Sequence, residues 1–158
     1  MSKDMNKIVL KCILAVCVIL VPFIFANYFI LNYFMEHGKY FFEYDEMILS
    51  ALQIILTIPV GLVLRHKNKN TLTENKKAAK KYMIGSLVAF LIIAILYFTE
   101  IYQDIYFNVT FSLQIDDAPL FLFVLWEQIL NGKFLLSLSL CIFICFTGTI
   151  RFSKNKTQ

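Results

Sequence analysis

Four cysteines carry the most varied chemistry in this sequence, because a thiolate can bind a metal, form a disulfide or act as a nucleophile. They are Cys12, Cys17, Cys141 and Cys145, and all four lie inside apolar blocks. Cys141 and Cys145 are four residues apart, which places both thiols on one face of a helix. No His or carboxylate lies near them in the sequence, so we expect small buried side chains and neither a metal site nor a disulfide framework.

Acid–base catalysis would need several titratable side chains that converge on one point. His37 and His66 fall on opposite sides of the predicted membrane, and Lys11 lies near one end of the first apolar block. Asn27 and Gln53 are polar but not ionisable. The chain contains no phosphate-binding loop and no zinc-protease, serine-hydrolase or dinucleotide motif. We therefore expect no enzyme activity, no cofactor and no small-molecule substrate.

The elements that hold these residues are unusually apolar. Of the 158 residues, 59% are hydrophobic and sixteen are Phe, and the mean hydropathy is +0.68. Such a composition excludes intrinsic disorder and indicates a chain whose solvent is lipid. The net charge of +4 resides in short segments between apolar blocks, without a basic face interleaved with aromatics, so we expect no nucleic-acid partner.

Four apolar blocks have the length that a membrane-spanning helix needs, about 17–25 residues. They must be helical, because backbone amides in hydrocarbon have to be satisfied within the segment. The first block is too long for a signal peptide, so we expect a retained helix. The predicted spans are residues 8–33, 47–64, 82–98 and 134–150, joined by a linker at 65–81 and an outer loop at 99–133. The sequence thus predicts an all-α membrane protein with four transmembrane helices.

Lys and Arg residues predict the orientation of these helices. Thirteen lie before or at the inner end of the first span, in the linker or in the tail, whereas only Lys39 and Lys133 lie on the other side. Positive residues favour the cytoplasmic face, so both termini are predicted to be cytoplasmic. A second interpretation of the basic linker is a site for anionic lipid or an acidic partner.

The predicted outer segments show the alternation of a half-buried strand. Residues 108–115 (NVTFSLQI) alternate between polar and apolar side chains without a break. In the first loop, 37–46, Tyr40, Phe42 and Tyr44 share one face. We hypothesise that the two segments pair as a small sheet on the outer surface.

An acidic pair, Asp116 and Asp117, follows and can cap a helix. The apolar segment after it, 119–133, is too short to span a membrane. It is either an interfacial or re-entrant helix, with Trp126 at the level of the headgroups, or the outer part of a broken fourth helix. We favour a break at the Asn-Gly pair 131–132, because this dipeptide is typical of turns.

Small and hydroxylated side chains on three of the spans permit close contact between helices. They either pack the four helices against one another or keep one face free for a partner's helices within the bilayer. These residues are Ser50, Ala51, Thr57, Gly61, Gly85, Ser86, Ala89, Ala94, Ser137, Ser139, Thr147 and Gly148.

With this layout, the chain resembles the immunity proteins that protect bacteria from pore-forming colicins, of the colicin A type. The similarity covers about residues 47–156. It comprises a basic linker (RHKNKNTLTENKKAAKKY), a third helix ending in LYFTE, a long outer loop with DDAPLFLFVL, and a short basic tail. The chain departs from that pattern in the first helix and in the loop at 36–46, where those proteins carry a longer loop.

The resemblance implies a multi-pass protein of the bacterial inner membrane, often plasmid-borne, that binds and neutralises a pore-forming bacteriocin within the bilayer. Its partners would be membrane lipid and the toxin's pore-forming domain. The residues expected to contact the toxin are Tyr40, Tyr44, Asp116, Asp117, Trp126 and Glu127 on the outer side, with Ser86 and Ser137 inside the membrane.

Two other functions fit the same sequence. One is a small accessory subunit or regulator of a larger membrane complex. The other is an exclusion protein that blocks the entry of a phage or plasmid. The abundance of Lys, Asn, Ile and Phe is typical of AT-rich mobile elements and does not separate immunity from exclusion.

Overall fold

The structure is a computed structural model that describes residues 3–37, 42–98 and 132–147. All of these residues lie in helices or in the turns and caps that flank them. The helices are α1 (Lys3–His37), α2 (Phe42–Lys67), α3 (Lys69–Glu74), α4 (Lys76–Phe98) and α5 (Lys133–Phe146).

Three of these helices, α1, α2 and α4, are long and apolar enough to cross a membrane. Their outward faces are as apolar as their inward ones: Val18 on α1 is 71% exposed, and Ile95 on α4 is 61% exposed. A helix with apolar side chains all round needs a lipid environment or a large core. The chain is therefore a helical protein with the character of a multi-pass membrane protein.

The fourth apolar helix, α5, is shorter. Its 14 residues rise about 21 Å, which is less than the roughly 30 Å of a bilayer's hydrocarbon core. The predicted fourth span, 134–150, continues into residues outside the described part of the chain.

Packing centres on α5. It contacts α2 and α4 most extensively and also touches α1, while α1 pairs mainly with α2. The closest approach is at Gly61 of α2, where a Cβ atom would lie 3.0 Å from the Cβ of Ile144 and 3.1 Å from the carbonyl oxygen of Cys141. A side chain at this position would fit only if Ile144 or the backbone of α5 moved by a few tenths of an ångström.

The bundle has two distinct ends. At the linker end, α1 begins, α2 ends at Lys67 and α4 begins at Lys76, with α3 between them. At the loop end, α1 ends, α2 begins, and α5 starts at Lys133. The predicted linker is thus mostly helical, with turns at Asn68 and Asn75.

One predicted strand is wrong where the structure describes it. Residues Phe42–Lys67 form α2, so the second half of the first loop is helical. A period-two pattern over so few residues is weak, and the acidic side chains Glu43 and Asp45 favour a helix N-terminus through the helix dipole. Residues 108–115, the other half of the hypothetical sheet, lie outside the described residues, and the described ones contain no strand.

Candidate functional site

One stripe of α2 is buried in the bundle although its side chains are polar or small. It consists of Ser50, Gln53, Thr57 and Gly61, spaced three or four residues apart and therefore on one helix face. Lipid tails cannot hydrogen-bond, so polar side chains of a membrane helix point towards other helices. The stripe faces α5, as the approach of Gly61 to Ile144 shows.

A hydrogen bond joins this stripe to α5. The Nε2 atom of Gln53 donates to the Oγ of Ser137 at 3.3 Å, and both side chains are buried. The distance is long for such a bond, and polar contacts between membrane helices contribute about 0.6 kcal/mol on average. The hydroxyl of Thr57, by contrast, donates to the carbonyl oxygen of Ile54 in its own helix at 2.6 Å. Gln53 and Ser137 therefore form a polar link between α2 and α5.

Lys133 is the first residue of α5, and its side chain is only 1% exposed. Among the described residues it is the one acidic or basic side chain that is buried. Such burial costs free energy unless the charge is well paired, and the first turn of a helix is unfavourable for a cation. Lys133 is therefore a candidate functional residue.

The start of α5 is fixed by the preceding residue. Gly132 has φ 73° and ψ −7°, a left-handed conformation that interrupts any helix running through it. This is the position of the break that the Asn-Gly pair predicts. Residues 119–131 lie outside the described part, so their form remains a prediction.

These polar residues occupy neighbouring turns of two facing helices. Lys133 precedes Ser137 by four residues on α5, and Ser50 precedes Gln53 by three on α2. Because Gln53 contacts Ser137, the four residues fall on adjoining faces towards the loop end. We call Ser50, Gln53, Lys133 and Ser137 the polar cluster. It lies below the helix ends from which residues 38–41 and 99–131 depart.

The predicted toxin-contact residues fall into three groups. Ser137 belongs to the polar cluster. Ser86 lies elsewhere, on α4, where its hydroxyl donates to the carbonyl oxygen of Met83 at 3.0 Å. Tyr44 is in the first turn of α2. The others lie outside the described residues; they are Tyr40, Asp116, Asp117, Trp126 and Glu127.

Polar contacts also tie the helices together at the linker end. The Nζ of Lys11 donates to the Oδ1 of Asn68 at 3.0 Å, which links α1 to the turn after α2. The hydroxyl of Tyr82 donates to the Oδ1 of Asn6 at 2.7 Å, which links α4 to α1. The ring of Tyr82 also stacks on Phe146 of α5. Three contacts thus connect α1, α2, α4 and α5 at this end.

Three of the four thiols meet in the core. Cys12 of α1 belongs to the same buried core cluster as Cys141 and Cys145 of α5, and all three are fully buried. Cys17 is exposed on the other face of α1. No group of three or more His, Cys, Asp or Glu side chains within the described ranges has the arrangement of a metal site.

The sequence alone did not reveal the role of Lys133 or Tyr82. The sequence places Lys133 on the outer side, directly before an apolar span. Tyr82 is the first residue of the predicted third span, and nothing in the sequence indicates its partners. The burial of Lys133 and the partners of Tyr82 depend on how α5 packs, which no local sequence pattern encodes.

Comparison with protein-family models, with curated proteins and with solved structures finds no match to this chain.

Proposed function

We propose that this chain is an inner-membrane immunity protein that binds and neutralises a pore-forming bacteriocin within the bilayer. The proposal combines the resemblance in layout to the colicin A type of immunity protein with the polar cluster at the loop end. Both termini would be cytoplasmic, and residues 134–150 would complete a fourth span.

The polar cluster is the observation that carries the proposal. The residues expected to contact the toxin from the outer side all lie in or beside the segments that connect at the loop end. A recognition surface made of connecting segments is effective only when the elements that hold it are rigid. The bond between Gln53 and Ser137 supports this requirement, because it adds a polar contact to the packing of α5 against α2.

The physical task of such a protein is modest. An open pore dissipates the membrane potential, which is worth about 2.3 kcal/mol per elementary charge per 100 mV. To prevent opening, the immunity protein has only to hold the inserted toxin helices in a closed arrangement. Apolar packing and a few hydrogen bonds within the bilayer are sufficient for that.

A survival assay tests the function directly. The chain is expressed in a sensitive bacterium, its insertion is confirmed, and the cells are challenged with a panel of purified pore-forming bacteriocins while a dye reports membrane potential. We expect one toxin to lose its effect while the others keep theirs. If every toxin in a broad panel still depolarises the cells, the accessory-subunit and exclusion functions take precedence, and membrane partners should be isolated.

A pair of α2 variants tests the role of the polar cluster. Gln53→Leu removes the link to Ser137, and we expect it to lower protection about threefold, the factor that corresponds to about 0.6 kcal/mol. Thr57→Val is the matched control, because this buried hydroxyl bonds within its own helix and should be dispensable. Equal protection by both variants at equal membrane levels would show that the polar cluster does not position the toxin-binding surface.

A further inference from the structure

A groove remains open between α1 and α4 in the half of the bundle nearer the linker end. Val9 of α1 lies on one side, α4 forms the other, and Ile142 of α5 lines the groove between them. Its volume of about 970 Å³ is at the upper end of the range for small-molecule sites, roughly 300–1,000 Å³. The groove exists because α4 packs mainly on α5 and hardly on α1.

The α4 side of the groove is smooth and apolar. Ala78, Gly85 and Ala89 are small, and a Cβ atom at Gly85 would meet nothing within 4 Å. Ser86 also lines the groove, but its hydroxyl is bonded to the carbonyl oxygen of Met83. This surface therefore matches a flexible hydrocarbon chain better than a polar ligand.

The mouth of the groove is positively charged. Lys77 and Lys81 lie four residues apart on one face of α4, and both are exposed. No Asp or Glu is among the described residues that line the groove. An apolar slot with two cations at one end is complementary to an amphiphile with an anionic head.

We propose that the groove binds one anionic phospholipid of the leaflet at the linker end. Its phosphate would lie between Lys77 and Lys81, and one acyl chain would run past Gly85 to Ala89. Lys81 and Ala89 are separated by about 12 Å along the helix, which fits within one leaflet, about 15 Å of a 30 Å core.

Charge distinguishes lipid from the other occupants of such a groove. A second copy of this chain in the same membrane orientation would bring its own basic linker towards Lys77 and Lys81. Each of these cations instead gains about fivefold in affinity for an anionic surface. The linker end also carries Arg65, Lys67 and Lys69, which concentrate anionic lipid near the mouth.

Native mass spectrometry of the purified full chain tests the proposal. The protein is mixed with equal amounts of phosphatidylglycerol and phosphatidylcholine, and the bound species are counted by mass. We expect one phosphatidylglycerol per chain to be retained preferentially. The double variant Lys77→Gln/Lys81→Gln should lower this retention by about 25-fold, about fivefold for each cation.

A matched variant separates the site from general attraction to a basic surface. Lys76→Gln/Lys80→Gln removes two exposed cations with the same spacing on the same helix, but neither residue lines the groove. We expect it to retain phosphatidylglycerol nearly as well as the unchanged chain. An equal loss in both double variants would overturn the proposal.

A third variant tests the acyl chain. Gly85→Leu fills the open space on α4 and should reduce phospholipid retention, whereas Val88→Leu, at an exposed position outside the groove lining, should not. Unchanged retention in Gly85→Leu, or purification as a lipid-free dimer, would refute a lipid in the groove. None of these measurements requires a toxin, so their outcome does not depend on the immunity function.

Discussion

The ring of Tyr82 stacks on the ring of Phe146, with centroids 5.4 Å apart and planes inclined by 17°. The same tyrosine donates its hydroxyl proton to Asn6. One side chain of α4 therefore joins the beginning of α1 to the end of α5. This arrangement places the start of α1 and the end of α5 at the same end of the bundle, beside the basic linker.

We expect the two contacts of Tyr82 to be separable by mutation. Tyr82→Phe keeps the stacked ring and loses only a partly hydrated hydrogen bond, so it should lower the free energy of unfolding by about 0.5–1 kcal/mol. Tyr82→Ala also loses the ring and should cost about 3 kcal/mol or more. Unfolding in mixed micelles measures both, and Asn6→Ala should have no further effect when added to Tyr82→Phe. A full additional loss in that double variant would contradict the Tyr82–Asn6 bond.

Two glycines provide a paired test of the packing. Gly61→Ala puts a methyl group 3.0 Å from the Ile144 side chain, so α2 and α5 must separate, at a cost of about 1–3 kcal/mol. Gly85→Ala meets open space and should be neutral or slightly stabilising, because alanine is the better helix former by about 1 kcal/mol. The comparison uses thermal unfolding of the two variants in the same detergent. A larger loss in Gly85→Ala than in Gly61→Ala would mean that α5 packs elsewhere.

The thiol contacts predict which cysteines can be cross-linked. Because Cys12 is buried in the same cluster as Cys141 and Cys145, a mild oxidant should join it to one of them and so link α1 covalently to α5. Protease cleavage in the outer loop would reveal this link on a gel. A chain that keeps Cys17 instead of Cys12 should remain uncross-linked, because Cys17 faces away from α5. Efficient linkage through Cys17 would indicate that α1 is rotated.

The predicted orientation leads to a labelling experiment. In a cysteine-free background that remains stable, Asn108→Cys should react with a membrane-impermeant maleimide in intact spheroplasts. Lys69→Cys should react only after the membrane is opened, because the basic linker is predicted to be cytoplasmic. The reverse pattern would invert the topology.

A double-mutant cycle measures the polar cluster itself. Gln53→Leu and Ser137→Ala each break the same bond, so the double variant should be less destabilised than the sum of the two. We expect a coupling energy near 0.6 kcal/mol. A coupling energy of zero would mean that each residue stabilises the bundle through its own packing and that the bond between them contributes nothing.

The helices formed by the long apolar blocks were predictable, because a backbone in lipid must satisfy its own hydrogen bonds. Residues 8–33, 47–64 and 82–98 fall within α1, α2 and α4, which the structure shows to be long and apolar enough to cross a membrane. The aromatic alternation around Phe42 gave a wrong strand prediction. Five residues are too few to establish a strand period, and the helix that follows them begins within this segment.

The site was less predictable because it depends on which helix faces meet. Gly61 and Gly85 look equivalent in the sequence, yet one lies against Ile144 and the other borders an open groove. Lys133 looks like a flanking charge, yet it is buried. Such differences arise from tertiary packing around α5, and the local sequence does not determine this packing.

The central position of α5 has a consequence for biogenesis. A polytopic chain enters the membrane from its N-terminal side, so α1 and α2 can form a hairpin while the rest of the chain is still being translated. α4 has little to pack against until α5 emerges, because α5 is its main neighbour among the described helices. The insertion machinery or a chaperone would then have to bind α4 and keep it from misfolding until synthesis of α5 is complete.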